Sequence, residues 1–281
     1  MTFYNDSDPY CVEWLRNLIA AGLLPEGYVD GREIQSLRSE DLEGFESCHF
    51  FAGIGGWPLA LHLAGWEGPV WTGSCPCQPF SVAGQRQGSA DSRHLWPEFK
   101  RLISDRKPAT VFGEQVASAD GRIWLSGVRT DLEALGYAVG SADLCAAGVG
   151  APHIRQRLWW VADSTRNGLE RSGVQNGGGS NAGIPPHGNY GRSWSCRTLN
   201  TGMGWGHYDI LPCFDGKSRR VESGTFPLAH GISERVGKLR AFGNAIVPQV
   251  AAEFIAAYIE VLQSTTQESD SEGVAIVDDH A

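Results

Sequence analysis

The chain of 281 residues has no apolar run long enough to cross a bilayer, and no basic-then-apolar leader opens it. A membrane protein and a secreted precursor are therefore not expected. It also lacks a disulfide framework. Its seven cysteines are odd in number and scattered, which fits a reducing, cytoplasmic setting. Paired metal ligands are missing as well: Cys75 and Cys77 find no matching second pair among Cys145, Cys196, Cys213, His187 and His207, so no metal site is expected. No histidine stands at a motif position facing Cys77, which disfavours a thiol-dependent hydrolase. Net positive charge is absent too, at −9 overall, but the acids are unevenly placed. Residues 1–47 carry 10 acids and 3 bases, and residues 264–281 carry 5 acids and no base. The middle of the chain is left mildly basic, which permits a nucleic-acid partner.

A hydrophobic fraction of 42% is enough for a real core. Residues 9–24 read as an amphipathic helix with Asp8 as its cap and Pro9 at its first position. Ile34 to Leu42 reads as a second short helix, so residues 1–47 are expected to form an acidic helical accessory segment. From His49 onward, strands and helices alternate. A strand enters the turn Phe51-Ala52-Gly53-Ile54-Gly55-Gly56, a helix runs to about Ala64, and Pro69-Val70-Trp71 is a strand. Further helices are expected over 95–103 and 123–135, and further strands over 108–112, 137–144 and 154–161. This alternation predicts an α/β fold with helices on both faces of a sheet. Residues 163–230 turn rich in Gly, Asn and Ser and read as an irregular lobe. A helix is expected from about Val250 to Leu262, and the tail from Ser264 is expected to be disordered.

Chemistry concentrates at the loop ends of this sheet, where open α/β folds gather ligands. Cys77 sits in a loop stiffened by Pro76 and Pro79, which suits a positioned nucleophile. Glu114 follows a buried strand, and Arg155 and Arg157 stand two apart. A thiolate, a carboxylic acid and a guanidinium can together add to an electron-poor ring. Cys75 reads as a structural neighbour of Cys77.

These residues resemble the DNA (cytosine-5-)methyltransferase family. Phe51-Ala52-Gly53-Ile54-Gly55-Gly56 resembles its S-adenosylmethionine loop, and Pro76-Cys77-Gln78-Pro79-Phe80-Ser81 its nucleophile motif. Glu114-Gln115-Val116 resembles Glu-Asn-Val, with Gln115 for Asn. His153-Ile154-Arg155-Gln156-Arg157 resembles Gln-x-Arg-x-Arg, with His153 for Gln. Gly243-Asn244-Ala245-Ile246-Val247-Pro248 resembles the last motif. The resemblance implies a Rossmann-like methyltransferase sheet with a small recognition lobe. It also implies Cys77 addition to C6 of a flipped cytosine and Glu114 action at N3, with Arg157 and Arg155 at O2. Phe51 to Gly56, Pro76, Asn244 and Ala245 would hold S-adenosyl-L-methionine. Gln78 and Ser81 would touch double-stranded DNA. A restriction endonuclease partner and a monomeric state complete what the resemblance implies.

One departure stands out. The family fits two more strand–helix units between the glycine turn and the nucleophile, and their strand ends supply acids for the cofactor's nucleoside. Here only 20 residues separate Gly56 from Cys77, with Glu67 as their only acid. A sheet reduced in strand number is therefore expected. Asp30 and Glu33 are substitute acids by position only. Two alternative readings stay open: the same cytosine activation with a different one-carbon donor, and a non-catalytic DNA-binding (decoy) homologue.

Overall fold

The computed structural model describes residues 1–76, 95–165, 208–212, 218–222 and 243–272. Its centre is a seven-stranded sheet. In chain order the elements are β1 (Thr2–Asn5), α1 (Pro9–Ala20), β2 (Gly27–Asp30), β3 (Ser47–Phe50), α2 (Gly56–Ala64) and β4 (Val70–Gly73). There follow α3 (Trp96–Arg106), β5 (Thr110–Val116), α4 (Ala119–Ala134), β6 (Ala138–Cys145), β7 (Gln156–Asp163), β8 (Tyr208–Pro212), β9 (Ser218–Glu222) and α5 (Pro248–Glu272). The sheet order is β2-β1-β3-β4-β5-β7-β6, and β8 with β9 forms a separate hairpin. The first five strands are parallel; β7 runs antiparallel between β5 and β6.

The sheet is therefore full, not reduced. Two of its seven strands, β1 and β2, come from the front of the chain, ahead of the glycine turn. β1 pairs with both β2 and β3, so residues 1–47 are part of the sheet and not an accessory layer upon it. The α1 reading holds: Asp8 accepts from the Tyr10 amide at 2.9 Å, and Pro9 opens the helix. The expected second helix is two short 3-10 turns, Ile34–Ser36 and Ser39–Leu42. The ends of this front segment meet, for the Glu46 amide donates to the Met1 carbonyl at 3.1 Å.

Alternation along the strands sorts side chains into two core layers. Phe3, Phe50, Trp71, Val111 and Trp160 face α3 and α4. Val70, Phe112, Trp159 and Val161 face α2 and α5. A smaller cluster, Tyr4, Val12, Leu15, Leu24 and Val29, fastens α1 over β1 and β2. Cys75, 2% exposed, packs in the first layer, in keeping with a structural role. At the other end, α5 runs to Glu272, past the limit expected near Leu262 and into the tail expected to be disordered.

Candidate active site

The carboxyl ends of the parallel strands open into one cleft of about 580 Å³. Because β7 is antiparallel, its first residues lie at that same end. Arg155 and Arg157 thus meet the end of β5 without any long excursion of the chain. Two walls face each other across the cleft.

The first wall centres on the glycine turn. Phe51, Gly53 and Gly55 all have left-handed backbones, with φ of 52°, 57° and 85°. A side chain at Gly53 would meet nothing within 4 Å, so this position leaves open space at the cleft. Gly55 and Gly56 are closed over by protein. A Cβ at Gly55 would lie 2.8 Å from Leu24, and one at Gly56 would lie 2.7 Å from Ile246. Three of the turn's features therefore serve different ends: Gly53 faces the cleft, Gly55 admits the front segment, and Gly56 admits the segment before α5. Asp6, just past β1, accepts from the Gly53 amide at 2.8 Å and from the Asp8 amide at 2.9 Å. Asp6, Asp8, Glu33 and Ile34 all line the cleft. Asp30, the other acid named by position, does not: it is 3% exposed and grips Arg32 at 2.7 Å.

The second wall is made by β4, β5 and β7. Glu114, 8% exposed, pairs through Oε1 with Arg157 Nε at 2.7 Å. Register explains the meeting, since Arg157 lies opposite Val116 and Glu114 is its diagonal neighbour on the same face. Burial pushes the Glu114 carboxyl above the ordinary carboxylate range, while Arg157, Arg155 and the Ser74 hydroxyl pull it back. Ser74 in turn accepts from Trp57 Nε1 at 3.0 Å. Gln115, 2% exposed, donates through Nε2 to the Cys75 carbonyl at 3.1 Å and accepts from the Val116 amide. Arg155 has different partners from Arg157. Its Nη2 donates to the Gly243 carbonyl at 3.0 Å and to the Ala245 carbonyl. Burial, with Arg157 nearby, lowers its pKa.

Residues 67–177 match the family described as C-5 cytosine-specific DNA methylase. That match takes in the end of β5 with Glu114 and the Arg155/Arg157 pair. The chain is similar to the Type II methyltransferase M.HhaI of Haemophilus parahaemolyticus, 27% identical over 166 residues, which are 44% of this chain and 51% of that protein. It is also similar to M.AluI of Cellulosimicrobium cellulans, 35% identical over 114 residues, which are 36% and 22% of the two. The chain thus spans about half or less of the length of these relatives. Among solved structures, a Spodoptera frugiperda DNMT2 mutant aligns with a TM-score of 0.41 at 17% identity, covering 63% of this chain and 45% of that one.

Of the residues that the family resemblance singles out, Phe51, Ala52, Gly53, Ile54, Gly56, Pro76, Glu114, Arg155, Arg157, Asn244 and Ala245 all line the cleft. Gly55 is turned to Leu24 instead. Cys77, Gln78 and Ser81 lie outside the described residues; the cleft wall is described as far as Pro76, their neighbour in sequence. The same holds for most of the 163–230 lobe. Sequence reasoning missed Asp6, Asp8, Ser74 and Gln115. The Asn-to-Gln departure from the family's Glu-Asn-Val was a signal for Gln115; Asp6 had none. No group of three metal-binding side chains occurs among the described residues, and no helix among them is long and apolar enough to cross a membrane.

Proposed function

We propose that the chain is a DNA cytosine C5 methyltransferase acting on a base flipped out of double-stranded DNA. The observation that carries this reading is the buried Glu114–Arg157 pair, set in the same cleft as the glycine turn and the strand that leads to Cys77. Arg157 orients the carboxyl of Glu114 and presents its remaining donors to the O2 edge of cytosine. Burial shifts Glu114 toward its protonated form, the direction that suits proton donation to N3. Cys77 adds as thiolate to C6, and the electron pair moves to C5 as N3 takes the proton. After C5 is alkylated and loses its own proton, the C6–S bond breaks and Cys77 leaves. Gln115, by holding the Cys75 carbonyl, fixes the root of the loop that bears Cys77.

The fit of S-adenosyl-L-methionine rests on the first wall. Open space at Gly53 admits a ligand against the backbone, and the Asp6 and Glu33 carboxylates suit the hydroxyls and amino group of a nucleoside. Held by Phe51 to Gly56, Pro76, Asn244 and Ala245 together with those acids, it supplies an electrophilic methyl group. A different donor or a decoy would follow from a cleft without acids near the glycine turn, whereas Asp6, Asp8 and Glu33 line it. The same reading makes the protein a cytoplasmic monomer, and the Type II names of its relatives suggest a restriction endonuclease as companion.

Labelled S-adenosylmethionine with duplex DNA tests the proposal. Label is expected in DNA as 5-methylcytosine, and covalent capture is expected on duplexes carrying 5-fluorocytosine. Cys77→Ser should abolish both. DNA binding without label or capture would overturn the reading in favour of a binding protein; no cofactor binding by calorimetry would overturn the donor.

A further inference from the structure

The two arginines of the family motif are two residues apart, yet they serve opposite walls of the cleft. In a regular strand, residues i and i+2 face the same side. Arg157 lies within β7 and follows that rule. Arg155 precedes the strand and has a left-handed backbone, with φ of 32°, a conformation that costs an ordinary residue roughly 1 kcal/mol or more. Its guanidinium donates to the carbonyls of Gly243 and Ala245, the two residues that flank Asn244. The charged groups facing it are Glu114 and Arg157, and Glu114 is already paired with Arg157. Both bonds leave from the one nitrogen Nη2, whose two hydrogens are fixed in the guanidinium plane; an ammonium offers a point charge with freely rotating donors.

Among the described residues, the arm that Arg155 grips begins at Gly243. Gly243 and Asn244 are exposed, and Ile246 is the first buried side chain after them, resting on Gly56. We infer that Arg155 is a positioning residue for the arm Gly243–Ala245, clasping Asn244 at the cofactor mouth, and not a contact to the target base. This rests on the reading of the cleft as an S-adenosylmethionine site. The clasp orders the arm before ligand arrives, so the ordering cost is not charged against binding. The left-handed turn at 155 is what directs the guanidinium away from the base side and toward the arm.

The test uses the full chain with Arg155→Ala and Arg155→Lys, each with three readouts. The first is amide hydrogen exchange over residues 243–247 without cofactor or DNA. The second is the Kd for S-adenosylmethionine without DNA. The third is the rate of covalent capture on 5-fluorocytosine duplex at saturating cofactor. For Arg155→Ala, exchange is expected to rise about tenfold and Kd to weaken about 10- to 100-fold, on the scale of one or two charge-assisted bonds. Capture at saturation should stay within about threefold. Arg155→Lys should fall between, because it keeps the charge and loses the fixed planar donor pair of Nη2. Unchanged exchange and Kd with a collapsed capture rate would overturn the inference and make Arg155 a base contact. If the unaltered protein binds no S-adenosylmethionine, the cofactor reading fails by itself, and the exchange readout still decides whether the clasp exists.

Discussion

The two walls of the cleft are built by opposite strategies. The catalytic wall comes from β4, β5 and β7, where neighbouring strands bring Glu114 and Arg157 together by register alone. The cofactor wall comes from three distant stretches: Asp6 to Ile34, the glycine turn, and Gly243 to Ile246. The first is buried and charged, with its polar groups chained from Trp57 through Ser74 to Glu114 and Arg157. The second is open and depends on backbone amides, carbonyls and close glycine packing. On the proposed function, the step that needs a perturbed proton falls to the wall built by strand register, and ligand capture to the wall assembled from separate parts.

The sharpest way to break this division is Glu114→Gln. Capture on 5-fluorocytosine duplex should fall by about 10²- to 10⁴-fold, the usual worth of a placed acid, while the Kd for S-adenosylmethionine stays within about threefold. The same variant reports on burial. The native state holds the Glu114 proton to higher pH than the unfolded chain does, so the carboxyl detracts from stability as pH rises above the ordinary carboxylate range. The melting temperature of Glu114→Gln minus that of the unaltered protein should therefore be more positive at pH 7 than at pH 4. A pH-independent difference would remove burial as the cause.

Asp6→Ala addresses the other wall and should do the reverse. Kd should weaken by about 10- to 100-fold, because a charge-assisted contact and the brace on Gly53 are lost together. Capture at saturating cofactor should hold within about threefold. A loss of capture with unchanged Kd would show that the walls are not separable.

The smallest effect is expected from changing chain order alone. Met1 and Glu46 are hydrogen-bonded neighbours, and register sets Thr2 beside Ser47 and Ser47 beside Val70. Two strand spacings, roughly 10 Å, therefore separate the start of β1 from that of β4. Residues 1–46 spliced by short linkers into the turn between α2 and β4 would make the same contacts in a different chain order. Melting temperature and Kd should move little, the latter within about threefold. Loss of folding would mean that chain order itself is required.

Much of the catalytic wall was legible in the sequence, because its residues sit in short motifs whose spacing survives on neighbouring strands. The cofactor wall was not. β1 and β2 have four residues each, too few to show alternation. Which edge of a sheet a strand joins is decided by distant pairing, and nothing in Thr2–Asn5 announces β3 as its neighbour. Searching the interval before Cys77 for acids could only find Glu67. Position along the chain suggested Asp30 and Glu33; the first is locked to Arg32, and the second lines the cleft. The role of Gln115 was hidden in the same way, since its partner Cys75 lies 40 residues away.

The altered strand order also sets the order of synthesis. Three adjacent strands, the helix over them and the glycine turn all fall within the first 64 residues. Their pairings still span 25 to 45 residues, as in Thr2 with Gly27 and Thr2 with Ser47, but all partners lie within this one stretch. Every group of the cofactor wall except the Gly243–Ile246 arm has been added by the ribosome before Glu114. A nascent chain thus has all three of its first strands before β4 is made, and β3 is the edge on which β4 and then β5 add.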